Sequence, residues 1–272
     1  MKAIAVIAGY TLCEHSRRKL IAFFAIASLV LTLALGYLVL RNSDTGGVFG
    51  AGGLLVNAGV TSVFQLFILL AALAVSMGNI GAPFANGEAQ VVLARPVSRA
   101  QYALGRLSAS WLIVIALAVL MLLETEAVRV AGHVGWSSGY VAHWASSAFN
   151  AMVVTTITTI LSIYFSTPVI AAVLGYVAQT IAGGVGLLEG LARAGIIKGF
   201  LATSVRVTWY VFPKFLNSPL TVKGAAGASR AGAGLTEALS TLTNSPGLIA
   251  WAFAYLVGLV LLTLFLVSKR EI

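Results

Sequence analysis

The sequence is poor in charge. Only 9% of its 272 residues are Asp, Glu, Lys or Arg, against about 25% in soluble domains. So little charge cannot clothe a water-facing surface, which excludes a soluble enzyme and a disordered chain. Cysteine occurs once, at Cys13, which excludes an intrachain disulfide and a thiolate metal cluster. Aspartate also occurs once, at Asp44, so paired-aspartate metal or phosphate chemistry is excluded. There is no H-E-x-x-H and no C-x-x-C. The P-loop pattern G-x-x-x-x-G-K-[ST] is missing too, so any ATP this protein uses is expected on another chain. The first apolar run is too long for a signal-peptide core and no A-x-A site follows it, so no cleavable leader is expected. No internal repeat of the secondary-transporter kind is visible.

What is present is apolar. Hydrophobic residues make up 59% of the chain and its mean hydropathy is +0.97. These values indicate a polytopic membrane protein. A span needs about 20 apolar residues, and a charge at mid-bilayer costs about 2.5–3.5 kcal/mol, so charges mark the ends of spans. Leu20–Leu40 is the first expected span. Thr45–Gly87 is free of charge; its glycine-rich start (Gly46, Gly47, Gly50, Gly52, Gly53) reads as loop and Val60–Ala82 as the second span. Leu107–Leu123 is the third, its outer turn continuing to Val128. Val130–Leu188 holds no Asp, Glu, Lys or Arg and accommodates two spans, broken at Ser166-Thr167-Pro168. These are placed at Ser146–Phe165 and Pro168–Leu188. The sixth is Gly247–Val267, with Ser245 as N-cap and Pro246 in the first helical position.

The expected fold is therefore an all-α integral membrane protein forming one transmembrane domain over residues 1–272. It has six transmembrane helices, an N-terminal amphipathic helix (1–19), a cytoplasmic segment between helices 2 and 3 (84–106), and a long external segment before helix 6 (189–246). Six spans put both termini on one side. That side carries Lys2, Arg17, Arg18, Lys19, Arg95, Arg99, Arg106, Lys269 and Arg270, while the opposite short segments carry Arg41 and Arg129. The bias makes the termini cytoplasmic. The 189–246 segment adds six cations outside, at a length where the bias loses force. A seventh span through Ile196–Phe212 would bury Lys198 and Arg206, so that stretch reads as a membrane-surface or partly re-entrant helix. Pro213 and Pro219 punctuate it, and Lys223–Gly234 is a flexible linker by composition.

The cytoplasmic segment runs from Asn86 to Arg106. Pro96 disfavours helix at Arg95, so a helix through Glu88–Ala94 should end there. Ser98 with Gln101 forms a capping box, and Val97 against Tyr102 a hydrophobic staple, which starts a new helix running on into span three. Helix, corner, helix is the expected result. An ordinary positive-inside loop with a normal helix start is the alternative.

The string Glu88…Leu93-Ala94-Arg95-Pro96-Val97-Ser98-Arg99…Leu104-Gly105-Arg106 resembles the cytoplasmic signature of the permeases of type-2 ATP-binding-cassette (ABC) exporters. In that family an acid is followed by Leu-Leu-x-x-Pro-x-Ser-Arg and then Leu-Gly-Lys. Here Val92-Leu93 replaces the leucine pair, Arg106 replaces the Lys, and Ala89-Gln90 stands where Gly-Thr is common. The run from Ala8 to Lys19 looks like the family's amphipathic helix before span one. The layout matches along most of the chain; about 20 residues carry the motif itself. The resemblance implies a permease of the plasma (inner) membrane that pairs with a second copy or a similar permease. Two P-loop ATPase subunits would dock beneath it and bind ATP and Mg. It implies that Glu88, Arg95, Pro96, Ser98, Arg99 and Arg106 couple the ATPase to the spans. The family's substrates range from lipids and polysaccharides to drugs, ions and metal-site maturation.

Other residues carry weaker signals. Glu124, Glu126 and Arg129 are placed at the outer end of span three, where Glu126 and Arg129 are spaced to pair. They read as an interfacial helix end or as gating residues. No acid is placed at the centre of a span, so a proton or sodium relay has no evident carrier. Gln65, Ser76, Asn79 and Gln179 either line a path between two copies or bond neighbouring helices. His133 and His143 lie beside Trp136, Tyr140 and Trp144, in what reads as an aromatic belt. Gly183, Gly184, Gly186 and Gly190 crowd the end of span five, for close packing or for a bend. The alternative to the permease reading is a self-contained transporter or channel not powered by ATP.

Overall fold

A computed structural model describes residues 2–17, 19–43, 51–94, 96–131, 138–165, 167–193, 197–211, 215–216 and 246–269. Every regular element among them is a helix. Five stretches are long and apolar enough to cross a bilayer: Val63–Ala85, Arg99–Val128, Val141–Tyr164, Pro168–Val185 and Pro246–Lys269. The chain is a multi-pass membrane protein. Arg18, Arg95, Ser166, Pro213, Pro219, the Lys223–Gly234 linker and Ser245 lie outside the described residues.

Helix α1 (Lys2–Arg17) buries Ile7, Ala8, Thr11 and His15. That spacing is one stripe of an amphipathic helix, and the stripe lies along the start of α6 (Arg99–Ala131). A Cβ on Gly105 of α6 would come within 2.7 Å of the Ile7 side chain, so the absent side chain lets the two helices touch. Lys19, in the left-handed region at φ 56°, turns the chain into α2 (Leu20–Ser43). At about 1.5 Å per residue α2 is about 36 Å long, and it is apolar over Leu20–Ala34.

Helix α3 covers Ala51–Ser76, which corrects the sequence reading at both ends. Gly52 and Gly53 are helical rather than loop, while Gly46, Gly47 and Gly50 lie outside the described residues. Glycine disfavours helix by about 1 kcal/mol in water. At both positions the helical ladder forms all the same. The other end stops at Ser76, short of the expected Ala82. Gly78 takes φ +74° and breaks the helix before α4 (Gly81–Ala85). A Cβ on Gly81 would overlap the Ser162 carbonyl, so α4 rests directly on the end of α7 (Ser138–Tyr164).

Helix α5 is Glu88–Leu93. Helix α8 (Pro168–Arg193) begins on Pro168, as the break before it requires. Its Ile170 and Ala171 amides donate to the Thr167 carbonyl at 3.1 and 3.5 Å. Helix α9 (Phe200–Val211) is about 18 Å long at about 1.5 Å per residue, too short for a seventh span. Helix α10 (Pro246–Lys269) completes the bundle.

The core lies between α3, α6 and α7: Phe64, Ile68 and Ala72 meet Val114, Ala118 and Met121, with Trp144 and Ala151. Helix α7 is the most enclosed span, and α8 and α10 lie at the periphery. Enclosure agrees with composition, since α7 buries Thr155, Thr156, Thr158, Thr159 and Ser162. Two of these hydroxyls are satisfied by their own helix, Thr156 donating to the Met152 carbonyl at 2.8 Å and Ser162 to the Thr159 carbonyl at 2.7 Å.

Candidate functional site

The elbow between α5 and α6 forms as its residues dictate. Glu88 stands in the first turn of α5, where the helix dipole favours a negative charge. The helix ends at Leu93 with Ala94 as its C-cap, just before Pro96. The Ser98 amide then donates to Gln101 Oε1 at 3.1 Å, and the Gln101 amide to Ser98 Oγ at 3.2 Å. That is both arms of the capping box, and α6 runs from it without interruption into the membrane. Val97 packs with Val92 and Leu93 against the cluster of Ile7, Ala89 and Tyr102, which fastens the elbow to α1. Arg99 donates to the Ser268 carbonyl at 3.3 Å, so a cation closes the C-terminus of α10. Glu88, Pro96 and Ser98 face outward; so does Val91, 72% exposed. Sequence reasoning passed over Val91 because it weighed only the neighbouring pair against the family pattern. Arg95 lies outside the described residues.

Arg106 points the other way. Only 4% exposed, it donates through Nη2 to Glu14 Oε2 at 3.1 Å and through Nη1 to the Asn79 carbonyl at 2.9 Å. Its guanidinium carbon lies 5.5 Å from the centre of the Tyr102 ring. Asn79 returns the contact, its Nδ2 lying 2.9 Å from Ser110 Oγ and 3.3 Å from the Arg106 carbonyl. Arg106 thus joins α1, α6 and the break between α3 and α4. The fork of a guanidinium serves two acceptors in two directions at once, which a lysine at this position would do less well. Asn79, 3% exposed, is occupied in tying helices together rather than lining a path. Glu14 was missed from the sequence because its partner is 92 positions away.

Glu124 and Glu126 are not two of a kind. Glu126 is 3% exposed, and the side chain of Arg129 is not described. Glu124 turns toward α2. It accepts from Ser28 Oγ at 3.2 Å and from Thr32 Oγ1 at 3.0 Å. Thr32 stands at the middle of α2, so the carboxyl lies level with mid-helix there rather than at a helix end. Glu124 lies four residues from the end of the apolar stretch Arg99–Val128, as the sequence reading has it, and it faces α2 at Ser28 and Thr32.

The remaining candidates are dispersed. Gln65 is half-buried on α3, about 20 Å along the axis from Asn79 at about 1.5 Å per residue. Gln179 is half-buried on α8, and its Oε1 is buried with no hydrogen-bond partner among the described residues. The described part of the external segment returns to the bundle. Asn150 Nδ2 donates to the Leu216 carbonyl at 2.8 Å and the Leu216 amide to Asn150 Oδ1 at 2.7 Å. Phe215 and Leu216 pack against Phe149, Val153, Ala252 and Leu256. The pair falls past α9 and outside the Ile196–Phe212 stretch.

His143 is fully buried, its ring centre 5.2 Å from that of Trp144, near the start of the Val141–Tyr164 stretch. His133 and Trp136 lie outside the described residues. A Cβ on Gly183 or Gly184 would meet nothing. The close approach in α8 is at Gly175, where a Cβ would overlap Thr158 Oγ1. Residues 135–139 spell G-x-S-x-G, but that motif is a strand-to-helix turn, and no strand occurs among the described residues. No protein-family model matches the chain, and no curated protein matches it either.

Proposed function

We propose that the chain is the membrane-spanning permease subunit of an ABC exporter in the plasma (inner) membrane. In this reading α2 is a further span, making six, and both termini are cytoplasmic. Two permeases pair, and two P-loop ATPase subunits dock beneath them with ATP and Mg. The observation that carries the reading is the elbow. It is a capped, proline-marked corner fixed to α1 by the Ile7/Ala89/Tyr102 cluster and to α10 by Arg99. Its outward residues Glu88, Val91, Pro96 and Ser98 are free for the ATPase, while Arg106, one helical element further, passes displacement to α1 and the α3–α4 break. A corner held at several points transmits force that a loose loop would absorb.

One observation favours a second reading. A carboxyl level with the middle of α2 is the kind of group that ion-driven transporters use, so Glu124 supports a self-contained transporter not powered by ATP. The test is purification in mild detergent from cells that also express the genomic neighbours. A stoichiometric partner with vanadate-sensitive ATPase activity is expected. A chain that stays alone after crosslinking in native membranes overturns the permease reading in favour of the second.

A further inference from the structure

We infer that Glu124, Ser28 and Thr32 form an exchangeable proton-binding site between α2 and α6. The inference does not depend on what powers the protein. It rests on counting hydrogens. A serine hydroxyl has one hydrogen and accepts with its lone pairs. Ser28 Oγ lies 2.9 Å from the Ala25 carbonyl and 3.2 Å from Glu124 Oε1. Both are acceptors while the carboxylate is ionised, and the single hydrogen serves only one of them.

A proton taken from water onto Glu124 Oε1 resolves the conflict. The new O–H donates to Ser28 Oγ, the Ser28 hydrogen turns to the Ala25 carbonyl, and Thr32 goes on donating to Oε2. The neutral site makes three hydrogen bonds where the ionised one makes two. Loss of the proton to water reverses the turn of the serine. Ser28 is fully buried and Thr32 4% exposed, so water has little access on the hydroxyl side of the half-buried Glu124 carboxyl. Protonation is thereby written into the contact between α2 and α6, the contact that would have to yield if either helix tilts.

The surroundings leave this site to the proton. On α6 the nearest ionisable residues are Glu126, buried, and Arg129, whose side chain is not described. Helix α2 carries Tyr37, exposed, and Arg41, whose side chain is likewise not described. Helix α3 has no ionisable residue between Ala51 and Ser76. From α7 comes His143, buried beside Trp144, whose indole donates to Thr125 Oγ1 at 3.2 Å. Helix α10 carries Tyr255 and Lys269. The charges of α1 meet α6 at its Arg106 end. Among the described residues, the partners of the Glu124 carboxyl are the two hydroxyls. The Thr32 contact at 3.0 Å is at the long end of an O–H···O hydrogen bond and the Ser28 contact at 3.2 Å is longer still, as expected where one serine hydrogen is shared between two acceptors.

The test is difference infrared spectroscopy of the full chain in lipid nanodiscs across a pH titration. A carbonyl-stretch band of a protonated carboxylic acid is expected in the wild type, falling as pH rises. It should be lost in Glu124→Gln. In Ser28→Ala, which keeps the acid but removes its acceptor, the band should move to higher frequency; this variant keeps the test decisive if Glu124→Gln fails to fold. Three results overturn the inference: no wild-type band that Glu124→Gln removes, a band unmoved by Ser28→Ala, or a band that responds to exchange of sodium for choline at fixed pH. The last would make the site one for sodium.

Discussion

Two acids make contacts between α6 and a neighbouring helix, Glu14 from α1 toward α6 and Glu124 from α6 toward α2, and they are answered in opposite ways. Glu14 of α1 meets the guanidinium of Arg106 at 3.1 Å. Glu124 reaches two hydroxyls of α2 at 3.2 and 3.0 Å. The first pairing requires both partners charged, because removing either leaves a poorly solvated charge behind. The second tolerates a neutral partner and gains a hydrogen bond from it. One end of α6 is therefore locked by charge, and the other contact is adjustable.

The largest expected effect breaks the locked end. Arg106→Met leaves Glu14 without its cation and the Asn79 carbonyl without its donor, at a cost of about 3–5 kcal/mol for a broken buried pair. Thermal unfolding in nanodiscs should show a clear loss of midpoint. The pair is also the sharper half of a matched experiment. Glu14→Gln and Glu124→Gln make the same change of one oxygen for an amide. The first should destabilise markedly, because it leaves the Arg106 charge buried. The second should be close to neutral, because the amide still accepts from Thr32 and donates to Ser28. Equal losses in the two variants would show that the ends of α6 do not differ in the way their contacts imply.

How far these contacts could be read from the sequence follows from their range. The elbow was legible because its signals are local: Pro96 acts on its neighbour, and Ser98 and Gln101 are three apart. The break at Pro168 was legible for the same reason. The expected Val60–Ala82 span matches the apolar stretch Val63–Ala85 closely, but the start of α3 was misread because glycines at 52 and 53 signal loop by local propensity and are taken into the helix. Gly78 broke the helix because its left-handed turn is compensated by Arg106, a residue 28 positions later, and nothing near Gly78 announces that. Counting residues from a helix end places Glu124 along α6 but does not reveal its partners on α2. Its level relative to α2 depends on how the two helices sit side by side. The side chains that matter most, Glu14, Ser28, Thr32 and Asn150, are an acid, two hydroxyls and an amide with partners more than 60 positions away. Each looks ordinary in its own segment.

The smallest expected effect returns to the elbow. Ser98→Ala removes one arm of the capping box, the acceptor of the Gln101 amide, and a lost N-cap costs about 1 kcal/mol. The site is exposed and the rest of α6 is held by packing, so the unfolding midpoint should barely change. What should change is stiffness at the corner. Pro96→Ala with Ser98→Ala lets α5 and the first turn of α6 join or fray, while the Arg106 lock stays intact. On the proposed permease reading, vesicles reconstituted with the co-purified ATPase should show such a variant hydrolysing ATP at nearly the wild-type rate and moving less substrate per ATP. If transport and hydrolysis stay coupled at the wild-type ratio, the corner is only a helix start. Force would then enter α6 by another route, with Arg99 and its hold on the end of α10 the first place to look.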